Sequence, residues 1–164
     1  MSILKKSIIA SAALALPFAV SANSKLEKMM KDPGQWVQQS GDYAGHRFSN
    51  LDQINKSNVG SLKVAWTFST GVLRGHEGGP LVIGDVMYVH TAIPNIVYAL
   101  DLNDNQRIMW KYNPVKGGKY PGGETMDRVI SVMCCDNVNR GVNYHPNGTT
   151  VSYTHLRAHE TPAN

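Results

Sequence analysis

Cysteine is nearly absent from this 164-residue chain: two residues, Cys134 and Cys135, and they are neighbours. In an oxidising compartment their one intramolecular option is each other. Such a bond would be strained, because adjacent Cα atoms sit about 3.8 Å apart across a trans peptide and about 2.9 Å across a cis one, below the usual disulfide span of roughly 4.4–6.8 Å. So small a ring adds little to loop closure. Its use would be local, a hard sulfur surface against which a flat ligand can lie. Two free thiols or a redox pair are the other readings. Long apolar runs are equally scarce. Past residue 22 nothing approaches the roughly 20 residues that a membrane-spanning helix needs, and no cysteine follows the N-terminal apolar stretch to carry a lipid. The chain also lacks a basic block interleaved with aromatics, which argues against a nucleic-acid partner despite a pI of about 9.1.

The N-terminus has the three-part layout of a secretory signal. Lys5 and Lys6 give the positive start, Ile8 to Val20 an apolar core broken by Pro17, and Val20-Ser21-Ala22 a small-residue cleavage site. An exported protein beginning at Asn23 is the expectation. At the other end, residues 151–164, beginning Val151-Ser152-Tyr153-Thr154-His155-Leu156-Arg157, resemble the translation of a transposon-type DNA-sequencing adapter. We expect that stretch to be non-native and the chain to be a fragment of a longer one. Leaving out Lys5, Lys6, Arg157 and Glu160 from 16 Lys+Arg and 12 Asp+Glu gives residues 23–150 a net charge of +2. That is ordinary.

Within 23–150 the pattern is mostly β. A short helix is predicted over 23–31, with Ser24 and Glu27 as a capping box, Leu26, Met29 and Met30 on one face, and Pro33 closing it. Strands are predicted at Val64–Phe68, Val86–His90, Ile96–Leu100 and Ile108–Tyr112, which are short runs rich in β-branched and aromatic residues. Turn signals at Gly71–Gly79, Ile83-Gly84-Asp85, Pro94-Asn95 and Asn103-Asp104-Asn105 separate them. Lys116 to Asp127, with four glycines and Pro121, reads as loop. Short strands at even spacing point to a sandwich, barrel or propeller. Ala99-Leu100-Asp101 followed by Trp110 resembles the tryptophan-docking repeat of quinoprotein propellers, with the spacing one residue long and asparagines where Thr-Gly would stand.

Several segments in order carry a more specific resemblance: Gln53-Ile54-Asn55 with Asn58-Val59 and Leu62; Ala65-Trp66-Thr67-Phe68-Ser69-Thr70-Gly71; Gly75-His76-Glu77-Gly78-Gly79-Pro80-Leu81; and Cys134-Cys135-Asp136 with Val138-Asn139-Arg140-Gly141. Together they resemble the N-terminal part of the large subunit of pyrroloquinoline-quinone (PQQ)-dependent methanol dehydrogenases. The Val72–Pro80 loop leans toward the lanthanide-using branch, and residues 116–128 look like an insertion relative to the family. The resemblance implies an all-β fold, the N-terminal part of an eight-bladed quinoprotein β-propeller, truncated here. It implies a vicinal disulfide, Cys134–Cys135, flat against PQQ, Arg140 bonded to a PQQ carboxylate, and Glu77 near another. A guanidinium fork suits a carboxylate, and two negative groups at one site need a proton, a cation or a bridging donor. His76 and His90 have no assigned task and read as structural or surface residues.

The activity so implied is periplasmic oxidation of methanol or another short-chain primary alcohol. A calcium or lanthanide ion polarises the quinone in this family, electrons pass to a cytochrome c, and the full-length protein forms a homodimer or a complex with a small subunit. The family's metal ligands and catalytic aspartate are expected beyond Gly148, so no catalytic or metal residue is assigned within the chain. Two other readings stand beside it. One is a non-catalytic propeller scaffold of outer-membrane assembly, which would carry a lipidated cysteine and no vicinal pair. The other is a different PQQ alcohol dehydrogenase, with or without a haem domain.

Overall fold

The computed structural model describes residues 23–134, 137–147 and 150–152. The signal layout at 1–22, Cys135, and the greater part of the C-terminal stretch lie outside those residues. Among the described residues, besides a single 3-10 turn at Val59–Ser61, two short α-helices and two antiparallel sheets make up the regular structure, in the order α1 (Ser24–Met30), β1 (Leu81–Ile83), β2 (Val86–His90), β3 (Val97–Asp101), β4 (Arg107–Tyr112), α2 (Met126–Val132), β5 (His145–Asn147) and β6 (Thr150–Ser152). The first four strands form one meander, β1-β2-β3-β4, and β5 pairs with β6 alone.

Each turn of the meander uses a residue suited to it. Gly84, with φ at 57°, lets β1 reverse into β2 without a Cβ in the left-handed region. Asn105 and Gln106 take positive φ between β3 and β4, where Arg107 bonds Asp104 at 2.6 Å and reaches Asp101 at 3.4 Å. Between β2 and β3, Thr91 organises the loop. Its hydroxyl accepts from the Ile96 N–H at 3.0 Å and donates to the Ala92 carbonyl at 2.7 Å.

β3 lies between β2 and β4 and is buried from Val97 to Leu100. Alternation splits its side chains between two cores. Val97 and Ala99 join Leu26, Val37, Leu81, Tyr88, Val142 and Tyr144 on one face, with Met29 and Met30 of α1 packed at the margin. Tyr98, Leu100 and the preceding Ile96 form the second cluster with Phe68, Val72, Met87 and Val89. There Phe68 meets Tyr98 edge to face at 5.1 Å, and the Tyr98 hydroxyl donates to the Thr70 carbonyl at 2.8 Å. Ala99 stands opposite both Tyr88 and Trp110. Its small side chain lets the two rings approach across it, with centroids 6.0 Å apart. The docking tryptophan therefore sits on the face that carries the first core. It keeps 37 % of its surface exposed.

Three expectations need correction. The helix cap is Asn23, whose side chain accepts from the Leu26 N–H, so Ser24 begins the helix and no Ser24–Glu27 box forms. Asparagine serves as well as serine at that position, and the cap falls one residue earlier. Val64–Phe68 is not a strand: it has no regular structure, is mostly exposed, and pairs with no strand among the described residues. A β-rich composition becomes a strand only when a partner edge lies alongside it. Lys116 to Thr125 is turn and isolated bridges as expected, but Met126 opens α2, capped by Thr125 accepting from the Arg128 N–H at 3.3 Å. β1 is three residues long and was too short to stand out as a separate run.

Candidate functional site

Glu77 and Arg140 are brought together. The Arg140 Nε stands 3.8 Å from a Glu77 carboxylate oxygen, with both side chains largely exposed. The two segments that carry them, residues 77–79 and 139–141, are set side by side by contacts from elsewhere in the fold.

One set comes from the segment before β1. Trp36 and Val82 exchange both backbone hydrogen bonds, at 2.8 and 2.9 Å, so that residues 36–39 run antiparallel beside β1. Continued by three residues, that register places Gln39 opposite Gly79. There the side-chain amide takes over from the backbone. The Gln39 Nε2 donates to the Gly79 carbonyl at 2.9 Å and the Gly79 N–H donates to Oε1 at 3.2 Å. Gly141 packs on the same amide, close enough that a Cβ there would fall 2.4 Å from the Gln39 Cδ and Nε2.

The second set comes from the end of β2. His90 is 4 % exposed, and its Nε2 lies 3.0 Å from the Asn139 carbonyl. A carbonyl only accepts, so the proton is on Nε2 and Nδ1 carries the lone pair. That Nδ1 is buried with no hydrogen-bond partner among the described residues. Burial holds the imidazole below its usual value of 6.5, and His76 opposes a second positive charge, while the bond to Asn139 acts the other way. Gly78 presses against this ring. A Cβ on it would lie 2.0 Å from the His90 Nε2 and 2.8 Å from the Arg140 carbonyl oxygen.

The 137–141 segment is anchored by its own turn. The Ile93 N–H donates to the Asn137 carbonyl at 3.1 Å, tying the segment to the β2–β3 loop. Buried Asn139 accepts from the Gly141 N–H at 3.0 Å, a short-range turn that leaves Arg140 facing outward. Asn137 takes φ of 56°, tolerable for asparagine, and its buried Oδ1 has no partner among the described residues. Cys134 follows two residues after α2 and is exposed, and the Asn137 N–H donates to its carbonyl at 3.1 Å. Among the described residues no group of three or more His, Cys, Asp or Glu side chains could hold a metal ion. None of their helices is long and apolar enough to cross a membrane.

Of the four residues singled out from the sequence, Glu77 and Arg140 are thus in contact, Cys134 lies six residues before Arg140 on one connected segment, and Cys135 is outside the described residues. Sequence reasoning gave His90 only a structural or surface reading, and assigned no role to Gln39, Gly78 or Asn139. The signal for His90 was there to read, a polar residue two places after Tyr88 on the core-facing register of a strand. Gln39 carried none.

A four-stranded antiparallel meander is the repeating unit of a β-propeller, and the site lies on the loops at one end of that unit. The chain belongs to the family described as PQQ, glucose/ethanol/alcohol dehydrogenase β-propeller domain, which it matches over residues 36–161. It is 55 % identical over 133 residues to the lanthanide-dependent methanol dehydrogenase of Methylorubrum extorquens, covering 81 % of this chain and 21 % of that protein. It is 47 % identical over 126 residues to methanol dehydrogenase [cytochrome c] subunit 1 of Paracoccus denitrificans, covering 77 % of this chain and 18 % of that one. Among solved structures it resembles a europium-containing methanol dehydrogenase with a TM-score of 0.68 and 52 % identity, over 76 % of this chain and 20 % of the other. The chain therefore spans about a fifth of the length of these relatives.

Proposed function

We propose that the full-length protein oxidises methanol or another short-chain primary alcohol to the aldehyde with PQQ and a calcium or lanthanide ion, passing electrons to a cytochrome c. The observation that carries this is the approach of Arg140 to Glu77 at 3.8 Å in a chain of the PQQ propeller family. The donor set fits a polycarboxylate ligand. The exposed guanidinium can share its N–H groups between Glu77 and a ligand carboxylate, and so bridges two negative groups that would otherwise repel. Cys134 and Cys135, read as a vicinal disulfide, would give the ring system of PQQ a flat face to rest on. Bound there, PQQ would supply a quinone able to take up a hydride, and with it both electrons, from the alcohol, whose hydroxyl proton goes to a base. The residues of this chain bind and orient; the groups that would hold the metal and accept the alcohol proton are expected past residue 148. The relatives are dehydrogenases, which favours this reading over a propeller scaffold.

Export to the periplasm is part of the same proposal, supported by the signal layout of residues 1–22 and by the adjacent cysteines read as a disulfide, a bond that persists in oxidising compartments. We also read 151–164 as non-native, which sequencing the gene downstream of Thr150 would settle. To test the activity, the full-length polypeptide is reconstituted with PQQ and, in parallel, calcium or a lanthanide, and reduction of an artificial dye is followed. Reduction that starts only when alcohol is added is the expected result. Reduction with neither metal would remove the assignment.

A further inference from the structure

Two side chains that the proposed chemistry does not use join the same two segments, and they do so in a crossed pattern. His90 is hydrogen-bonded to the 139–141 segment, at the Asn139 carbonyl, and packs on Gly78 of the 77–79 segment. Gln39 is hydrogen-bonded to the 77–79 segment, at both polar groups of Gly79, and packs on Gly141 of the 139–141 segment. Each staple thus bonds one segment and leans on a glycine of the other. Glu77 adjoins Gly78, Arg140 adjoins Asn139 and Gly141, and the two charged side chains emerge beside each other. We propose that His90 and Gln39 are positioning residues, crossed staples that hold Glu77 beside Arg140, and that His90 does so only as a neutral imidazole.

The restriction to the neutral form follows from the surroundings. A second proton would sit on Nδ1, which is buried and faces no acceptor among the described residues. It would also place a full charge in a desolvated position. Of the charged groups around it, His76 on the 70–76 loop would repel that charge, and Glu77 and Arg140 form their own pair. His76 is itself fixed, with Nδ1 at 2.7 Å from the Arg74 carbonyl and Nε2 at 3.2 Å from the Thr70 hydroxyl. A charged His90 must leave its slot, and the Asn139 carbonyl loses its donor. The two segments then part, and the site loosens as the solution turns acid.

This inference rests on the reading of Glu77 and Arg140 as PQQ-binding residues, and the test separates the two. PQQ binding to the apo form of the full-length polypeptide is measured by equilibrium dialysis across the range from well above to well below pH 6.5, the ordinary imidazole value. Wild type should bind more weakly as the pH falls through that range. His90→Gln, whose amide N–H can reach the same carbonyl and does not titrate, should bind like wild type at neutral pH and keep its affinity in acid. His90→Leu should lose about tenfold at every pH, as expected when a buried backbone group is left without its partner, and Gln39→Leu about threefold at every pH, since the Gly79 groups it bonds are exposed and can turn to water. If His90→Gln binds as weakly as His90→Leu, or keeps the wild-type slope, the proposal is overturned. Should His90→Leu fail to fold, the pH profile of His90→Gln alone decides. Arg140→Ala tests the underlying reading: unchanged PQQ affinity there sinks the assignment of the site. The staples are then judged by hydrogen exchange of the 78, 79 and 141 amides without PQQ. His90→Leu should speed that exchange, and no change would overturn them.

Discussion

At Gly78 the fold leaves room for a hydrogen and nothing more, since any Cβ would enter the His90 ring and approach the Arg140 carbonyl. Single atoms decide the site in this way. The same is true of the proton on His90. Its pKa lies below the ordinary 6.5 in the folded protein because burial penalises the charged form. The sign of its effect on stability follows by linkage. Between the lowered value and 6.5 the unfolded chain binds the proton and the folded chain does not, so stability rises with pH across that window. The contribution is fully present above 6.5 and drains away as pH falls toward the lowered value. We expect the urea midpoint of the full-length polypeptide to fall more steeply below pH 6.5 in wild type than in His90→Gln. Parallel profiles would mean that His90 takes up its proton equally in the folded and the unfolded chain, and that burial does not lower its value.

Among the elements, β3 and β4 share a hairpin and differ in almost everything else. β3 is buried on both faces, because β2 and β4 flank it while α1 and the 68–72 segment cover it. β4 is exposed from Arg107 to Tyr112 even though Ile108, Met109, Trp110 and Tyr112 are as apolar as anything in β3. Leu100→Ala should therefore cost about 2–5 kcal/mol, the range for a buried leucine that leaves a cavity. Chemical denaturation of the full-length polypeptide measures it, and a cost below about 0.5 kcal/mol, the size of a surface change, would contradict the placement of Leu100 in the core. Val64–Phe68 shows the complementary case. Val64 is 80 % exposed and Trp66 38 %, while Phe68 alone reaches the core, so composition produced a strand-like run with no neighbouring edge to pair it.

Taken whole, the described residues leave many large apolar side chains exposed, among them Phe48, Leu51, Ile54, Leu62, Trp66, Ile108, Met109 and Trp110. Together with the outer edge of β4, which pairs with no strand among the described residues, they favour association with other surfaces. A propeller buries such surfaces between blades and protects its edges by closing the ring. We expect residues 23–150, produced by themselves, to self-associate on gel filtration, to bind a hydrophobic dye and to show no alcohol-dependent dye reduction. A monomer that unfolds cooperatively and oxidises alcohol would show that the closure argument and the location of the remaining site residues are both misjudged.

How much of this was legible beforehand differs with the distance over which each feature is made. Strand composition and turn residues marked β2, β3 and β4 to within a residue or two, because alternation, β-branching and the Gly84 and Asn105 turns are local properties of the chain. The ordered motifs around Glu77 and Cys134–Arg140 gave the family for the same reason, since a motif is a local string. The resemblance assigned Glu77 and Arg140, 63 positions apart, separately to one cofactor, and their mutual contact is drawn by the fold. Nothing local distinguishes Gln39 from its neighbour Gln38, and although strand alternation turns His90 to the same face as Tyr88, nothing local shows that it lies beneath Gly78. Those roles depend on the Trp36–Val82 register and on where the 137–141 segment returns to the sheet. Hydrogen bonds and close contacts between distant segments have no sequence periodicity, so the partners of His90 and Gln39 were decided by the tertiary structure alone.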